Sequence, residues 1–122
     1  MTEALFFDTY AFFEILNGNP AYAKYVQCGI VTTDLNLFEL YAGLLARDEE
    51  VLAKEELEKY APFAVRFDTE IIEYAAKFRR LNRGKNFSMA DCIGYIFARR
   101  ECIKFLTGDR QFAGMPGVEF AK

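Results

Sequence analysis

Four acidic residues stand at positions where a small enzyme could use them. Asp8 follows the apolar run Ala4-Leu-Phe-Phe7, Glu39 sits in an otherwise apolar helical stretch, Asp91 comes three residues after Ser88, and Asp109 follows Cys102-Ile-Lys-Phe-Leu-Thr107-Gly108. What the chain lacks sharpens their meaning. It has no histidine and one serine, Ser88, so Ser-His-Asp and Cys-His catalysis, a histidine general base and a histidine-containing zinc site are all excluded. Hydrolytic chemistry here must run on carboxylates, and carboxylates recruit hard divalent cations. Each acid also has a plain structural role open to it. Asp8 or Thr9 can cap a helix, Asp91 fits a capping box with Ser88, Asp109 suits a turn, and Glu39 can lie along a narrow wet edge.

The elements that must position these residues are legible from periodicity. Ala4 to Phe7 reads as a strand, and Phe12, Phe13, Ile15 and Leu16 recur at helical spacing until Asn17-Gly-Asn-Pro20 stops them. Ala21 to Gln27 reads as a short helical segment, and Gly29-Ile-Val-Thr-Thr33 as a second strand, fully buried in character. Asp34 is the expected cap of the next helix, whose apolar residues from Leu35 to Leu45 leave one polar stripe of Asn36, Glu39 and Gly43. A glutamate in such a helix needs a partner, a metal or a wet edge. Asp48 to Tyr60 reads as a charged surface helix with Leu52 and Leu57 inward, ended by Pro62. Phe63-Ala-Val-Arg-Phe67 is expected as a third strand, and Asp68 as the cap of a helix carrying Ile71, Ile72, Tyr74, Ala75 and Phe78. Ser88 opens a further helix with Met89, Cys92, Ile93, Ile96 and Phe97 on one stripe. Cys102 to Thr107 is a buried strand, and Val118-Glu-Phe120 a short edge strand. This alternation predicts an α/β fold, a three-layer α/β/α sandwich around a parallel sheet of about four to five strands. All 122 residues are expected in one domain.

Bulk composition narrows the function classes. Apolar residues make up 52% of the chain, yet no apolar run approaches the roughly 20 residues of a membrane span. The Met1-Thr-Glu-Ala start has no basic leader region, so a cytoplasmic protein is expected. Cys28, Cys92 and Cys102 show no C-x-x-C spacing and are expected as small buried hydrophobes in a reducing compartment. A net charge of −3 disfavours nucleic-acid binding unless positive charge is local. Lys77, Arg79, Arg80, Arg83 and Lys85 supply such a cluster just before Ser88, although a solvated helix end explains it too.

In a parallel sheet, Asp8 and Asp109 leave strands at the same rim, where the helix start at Ser88 to Asp91 and the early turns of the Glu39 helix also gather. Two ionised carboxylates about 5 Å apart repel by roughly 3 kcal/mol at an effective dielectric near 20. Four acids meeting tightly would need neutralising, and Mg²⁺ or Mn²⁺ on oxygen ligands is the expected means. Thr107 is placed to orient an acid or a water by hydrogen bonding.

These four segments together resemble a known family. Phe6-Phe-Asp8-Thr, Asn36-Leu-Phe-Glu39-Leu-Tyr-Ala-Gly, Ser88-Met-Ala-Asp91-Cys-Ile-Gly-Tyr and Thr107-Gly-Asp109-Arg-Gln-Phe112 are similar, in order and spacing, to the acidic motifs of PIN domains. The likeness is strongest to the VapC-type toxins of toxin-antitoxin pairs. It implies the α/β/α sandwich, a Mg²⁺- or Mn²⁺-dependent endoribonuclease acting on RNA, a homodimer, and an antitoxin partner that covers apolar grooves. It carries metal-site roles onto Asp8, Glu39, Asp91 and Asp109 and a supporting catalytic role onto Thr107. Two positions depart from the pattern: Gln111 stands where many relatives have a further acid, and Tyr10 is bulkier than the small polar residue often found two past the first aspartate.

Two other readings fit the length. One is a receiver-like phosphoacceptor domain, with Asp8, Asp68 and Thr107 following strands. The other is a non-catalytic interaction module presenting Phe12, Phe13, Leu37 and Tyr41 to a partner.

Overall fold

Strand β1 (Ala4–Phe7) builds both cores of the protein. Successive strand side chains point to opposite faces, so Leu5 and Phe7 enter one apolar cluster and Phe6 enters the other. Strand β3 (Lys104–Thr107) repeats the pattern, with Leu106 in the first cluster and Phe105 in the second. The computed structural model of the protein describes residues 3–122; Met1 and Thr2, part of the stretch read for a leader, lie outside them.

Four parallel strands lie in the order β2-β1-β3-β4, where β2 is Gly29–Val31 and β4 is Val118–Phe120. Against one face pack α1 (Thr9–Leu16), α2 (Asp34–Leu45) and α3 (Glu50–Tyr60), which bring Phe12, Leu40, Leu44 and Tyr60 to the Leu5 and Phe7 side. Against the other pack α4 (Thr69–Leu81) and α5 (Met89–Arg100), contributing Ile71, Ala75, Ile93 and Phe97. This is the expected α/β/α sandwich. Helix α5 runs so close over β1 that a Cβ on Gly94 would sit 2.6 Å from the Phe6 ring.

Register fixes the site. Phe7 pairs with Leu106, so the next residues, Asp8 just past β1 and Thr107 at the end of β3, stand side by side, and the Asp8 amide donates to the Leu106 carbonyl at 3.1 Å.

Several local expectations are corrected. Residues 63–67 do not form a strand among the described residues: Phe63 closes a 3₁₀ turn with Pro62, and a single bridge, Thr32 with Ala64, joins this segment to the sheet. The proline turn delivers the chain to an edge strand only three residues long, so there is little ladder left to pair with. For the same reason β2 is half-buried rather than fully buried. Thr33, not Asp34, caps α2. On α3 the inward residues are Ala53, Glu56 and Tyr60, with Leu52 and Leu57 only half-buried. Cys92 is buried, but Cys102 is exposed in a left-handed turn with φ of 57°.

Candidate active site

Asp8 is the most enclosed of the predicted acids, with 2% of its surface exposed. It occupies the N-cap position of α1 but makes no side-chain cap bond. Instead its Oδ2 accepts a 2.7 Å hydrogen bond from the Thr107 hydroxyl, which in turn accepts one from the Asp109 amide at 3.1 Å. The other oxygen, Oδ1, is buried with no hydrogen-bond partner. Burial raises the carboxyl well above its usual range, the Asp91 and Glu39 charges add to the rise, and the Thr107 hydroxyl and the neighbouring Thr9 amide only partly offset it.

Glu39 lies in the second turn of α2 and is half-buried. Its Oε1 accepts from the Thr9 hydroxyl at 2.7 Å, Thr9 accepts from the Asn36 amide nitrogen at 3.1 Å, and the Asn36 carbonyl accepts from the Thr33 hydroxyl at 2.7 Å. Asn36 and Thr33 are fully buried. Thr33, Thr9 and Asn36 are the residues that sequence reasoning passed over, having treated Thr9 as a cap and Asn36 as one residue of a polar stripe. The signal for them was position: Asn36 precedes Glu39 by three, on the same helix face, and Thr9 follows Asp8.

Asp91 is held by the capping box. Its Oδ2 accepts from the Ser88 amide at 2.8 Å, while the Ser88 hydroxyl accepts from the Asp91 amide at 3.1 Å. Burial raises this carboxyl despite those bonds, helped by Glu39 and Asp109. The structural role open to Asp91 is therefore real, and the residue also lies in the field of the other acids.

Asp109 turns toward its own loop. The Gln111 amide donates to Oδ1 at 3.0 Å and the Gln111 side-chain nitrogen to Oδ2 at 3.3 Å.

The four acids thus share one edge and one electrostatic field, but they do not close into a ready-made cage. Among the described residues, no three His, Cys, Asp or Glu side chains gather closely enough to hold a metal. The expected tight convergence is not reached: each carboxylate is tethered separately, Asp8 by Thr107, Glu39 by Thr9, Asp91 by Ser88 and Asp109 by Gln111. Mutual repulsion favours this spacing while only protein groups surround the acids. The donor set still fits a hard divalent cation, because every candidate ligand atom is a carboxylate, hydroxyl or amide oxygen and Asp8 Oδ1 is already desolvated and unpartnered.

Cationic side chains flank this edge. Arg79, Arg80, Arg83 and Lys85 line a groove of about 640 Å³ that reaches Leu35, Met89 and Cys92 at the starts of α2 and α5. Lys77 instead sits near the Tyr74 ring and borders a separate depression. Asp68 lies elsewhere. It caps α4 through the Ile71 amide and pairs with Arg100 at 3.0 Å, at the opposite end of α5 from Asp91, so the receiver-like arrangement finds no support. Of the residues named for an interaction module, Phe12 and Leu37 are core, while Phe13 and Tyr41 are half-buried. No helix among the described residues is long and apolar enough to cross a membrane.

Comparison with known proteins covers the whole arrangement. The family model described as "PIN domain" matches residues 5–118. Among solved structures, a chain of VapBC2 from Rickettsia felis bound to a DNA fragment from its promoter superposes with TM-score 0.73 at 15% identity, covering 98% of this chain and 99% of that one. A toxin-antitoxin complex from Klebsiella pneumoniae gives 0.71 at 18% identity, over 94% and 95%. VapBC-5 from Mycobacterium tuberculosis gives 0.66 at 22% identity, over 96% of each chain. No curated protein matches significantly.

Proposed function

Because the chain belongs to the PIN domain family, we propose that it is a Mg²⁺- or Mn²⁺-dependent endoribonuclease, acting as the VapC-type toxin of a toxin-antitoxin pair. One observation carries the reading: a buried aspartate oxygen, Asp8 Oδ1, has no hydrogen-bond partner, and burial already raises the carboxyl. A buried acceptor left unsatisfied costs free energy that only a ligand or a proton recovers.

In this scheme Asp8, Asp91 and Asp109 hold the ion, and Glu39 either joins them or orients the attacking water. A divalent ion there supplies polarisation of a phosphate oxygen and a lowered pKa for water. The chain's own groups do the rest. Thr107 fixes the Asp8 carboxylate through Oδ2 and leaves Oδ1 free, while Thr9 and Asn36 fix the face that Glu39 presents. Arg79, Arg80, Arg83 and Lys85 form no ion pair within 4 Å among the described residues, and they are the candidates for RNA phosphates. Their replacement by alanine should weaken RNA binding and flatten its salt dependence, with the slope falling by about one for each phosphate no longer neutralised.

An antitoxin partner and a homodimer belong to the same reading. Support comes from the toxin-antitoxin complexes this fold resembles and from large apolar side chains left exposed, Phe38 at 72% and Leu81 at 82%. A cytoplasmic location goes with it.

The test is cleavage of single-stranded RNA with Mg²⁺, with Mn²⁺ and with chelator, on wild type and on Asp8→Asn, Asp91→Asn and Asp109→Asn. Cleavage that needs the ion and disappears in the variants supports the proposal; equal cleavage in all of them sinks it.

A further inference from the structure

Gln111, in the 3₁₀ turn after β3, is bonded through both ends of its carboxamide. Its side-chain nitrogen donates to Asp109 Oδ2 and, at 3.4 Å, to the Asn86 carbonyl, while its side-chain oxygen accepts from the Asn86 amide. Its backbone amide holds Asp109 Oδ1, and its backbone carbonyl accepts from Lys85 Nζ at 2.7 Å. One half-buried side chain therefore ties the turn after β3 to the segment before α5. That segment is the lead-in to Ser88, whose capping box fixes Asp91 in the first turn of α5. Asp91 opens α5 and Asp109 follows β3, the next element, so the length of α5 separates them along the chain, and the Gln111 carboxamide bridges the two segments where they meet again.

The chemistry of the amide suits the task. Holding a carboxylate requires a donor, and holding the Asn86 amide requires an acceptor; a neutral carboxamide offers both within one rigid group. A carboxylate at this position would keep the acceptor and repel Asp109, and an alkyl chain would keep neither.

We propose that Gln111 is a positioning residue of the ion site, setting the orientation of Asp109 and its separation from Asp91 without touching the ion itself. The inference rests on the metal-dependent reading above. It concerns affinity for the cation rather than the chemical step, since the side chain acts on a ligand and on the backbone beside a second one.

The experiment is calorimetric titration of Mn²⁺ into chelator-treated full-length protein, for wild type, Gln111→Ala, Asp8→Asn and, as a destabilised control, Asp68→Ala. Gln111→Ala should bind Mn²⁺ about 10-fold more weakly, within the range found for residues that orient metal-binding side chains. Asp68→Ala should melt earlier yet keep wild-type affinity, which separates positioning from general loosening. In RNA cleavage, Gln111→Ala should need about 10-fold more Mg²⁺ but recover near wild-type kcat at saturation. A folded Gln111→Ala protein with wild-type Mn²⁺ affinity overturns the inference while leaving the nuclease reading intact. Wild-type protein that binds no Mn²⁺ overturns both. Should the alanine variant fail to melt cooperatively, Gln111→Met keeps the side-chain length without its polar atoms and is judged by the same criterion.

Discussion

Asp8 and Asp68 occupy the same local position, the residue before a helix, in extended backbone with ψ of 157° and 179°. Their side chains behave in opposite ways. Asp68 caps its helix by accepting from the Ile71 amide, pairs with Arg100, and is held below the usual carboxylate range by those bonds. Asp8 ignores its helix, leaves one oxygen unpartnered, and is pushed up by burial and by its acidic neighbours. The first arrangement contributes to folding. The second costs stability, and a group kept at such a cost marks a place where a ligand is expected.

Replacing each aspartate by asparagine sets the two regions against each other most strongly. Asp8→Asn should lower ion-dependent RNA cleavage by at least about 100-fold, since it removes the most buried of the proposed charged ligands. It should also raise the Tm of the ion-free protein by a few degrees, because a neutral amide is buried more cheaply than a carboxylate. Asp68→Asn should leave cleavage within about 2-fold of wild type, as surface changes remote from a site do, and should not raise Tm. Full activity in Asp8→Asn would erase the distinction between the two positions.

Thr107→Val sharpens the comparison by removing the one hydrogen bond that Asp8 accepts from a side chain, without changing side-chain volume much. A bond to a charged acceptor is worth about 1.5–3 kcal/mol, so a loss of about 10-fold or more in cleavage is expected. Thr32 serves as the control. It is equally buried but donates to the Phe7 carbonyl at 3.2 Å, so Thr32→Val should lower Tm and spare kcat.

Why Asp8 and Asp68 look alike in sequence and differ in the fold explains how much could be read in advance. Periodicity and caps report local structure, and they located β1, β3, α4 and the Ser88 box well. They also marked Thr107 as a residue that could orient an acid or a water, and the register of β1 on β3 makes that acid Asp8. What they could not report was how far each acid is desolvated, or which partner it finds across the sheet. The link from Asn36 through Thr9 to Glu39 joins two helices, its first step connecting residues 27 positions apart, and no local pattern encodes it. The tight convergence expected of the four acids fails for a related reason. Charge repulsion argues for a neutralising ion, but the tethers that relieve it include Gln111, in a turn without periodicity, and Thr9, whose partner Glu39 lies on another helix. The strand expected at 63–67 failed because β propensity says nothing about whether the neighbouring edge is long enough to pair with.

The two aspartates should also oppose each other as pH changes. Asp8 and Asp91 have folded-state values above those of the unfolded chain, so their contribution to stability is full below the unfolded value, about 4, and is lost as pH rises through the folded value. Asp68 is lowered, so its contribution is present above about 4 and is lost as pH falls through its folded value. Ion-free protein should therefore gain Tm on mild acidification from neutrality, Asp8→Asn should reduce that gain, and Mg²⁺ should reverse it by favouring the ionised acids. A Tm that falls from the outset in ion-free wild type would contradict the raised pair.

The smallest effect belongs to the exposed side of the comparison. Arg100 reaches Asp68 at 3.0 Å and Glu70 at 3.8 Å, with more than a third of all three side chains in water or nearly so. Such pairs are screened by salt and by solvent, and little stability is expected from them. Arg100→Met should shift Tm by no more than about 1–2 °C at low ionic strength, and the shift should fade near 1 M salt, where the screening length is about 3 Å. The helix cap from Asp68 to the Ile71 amide does not depend on Arg100, so Asp68→Ala should cost more than Arg100→Met and should keep its cost at high salt. A difference between the two variants that vanished with salt would place the stabilising role of Asp68 in its ion pair rather than in its cap.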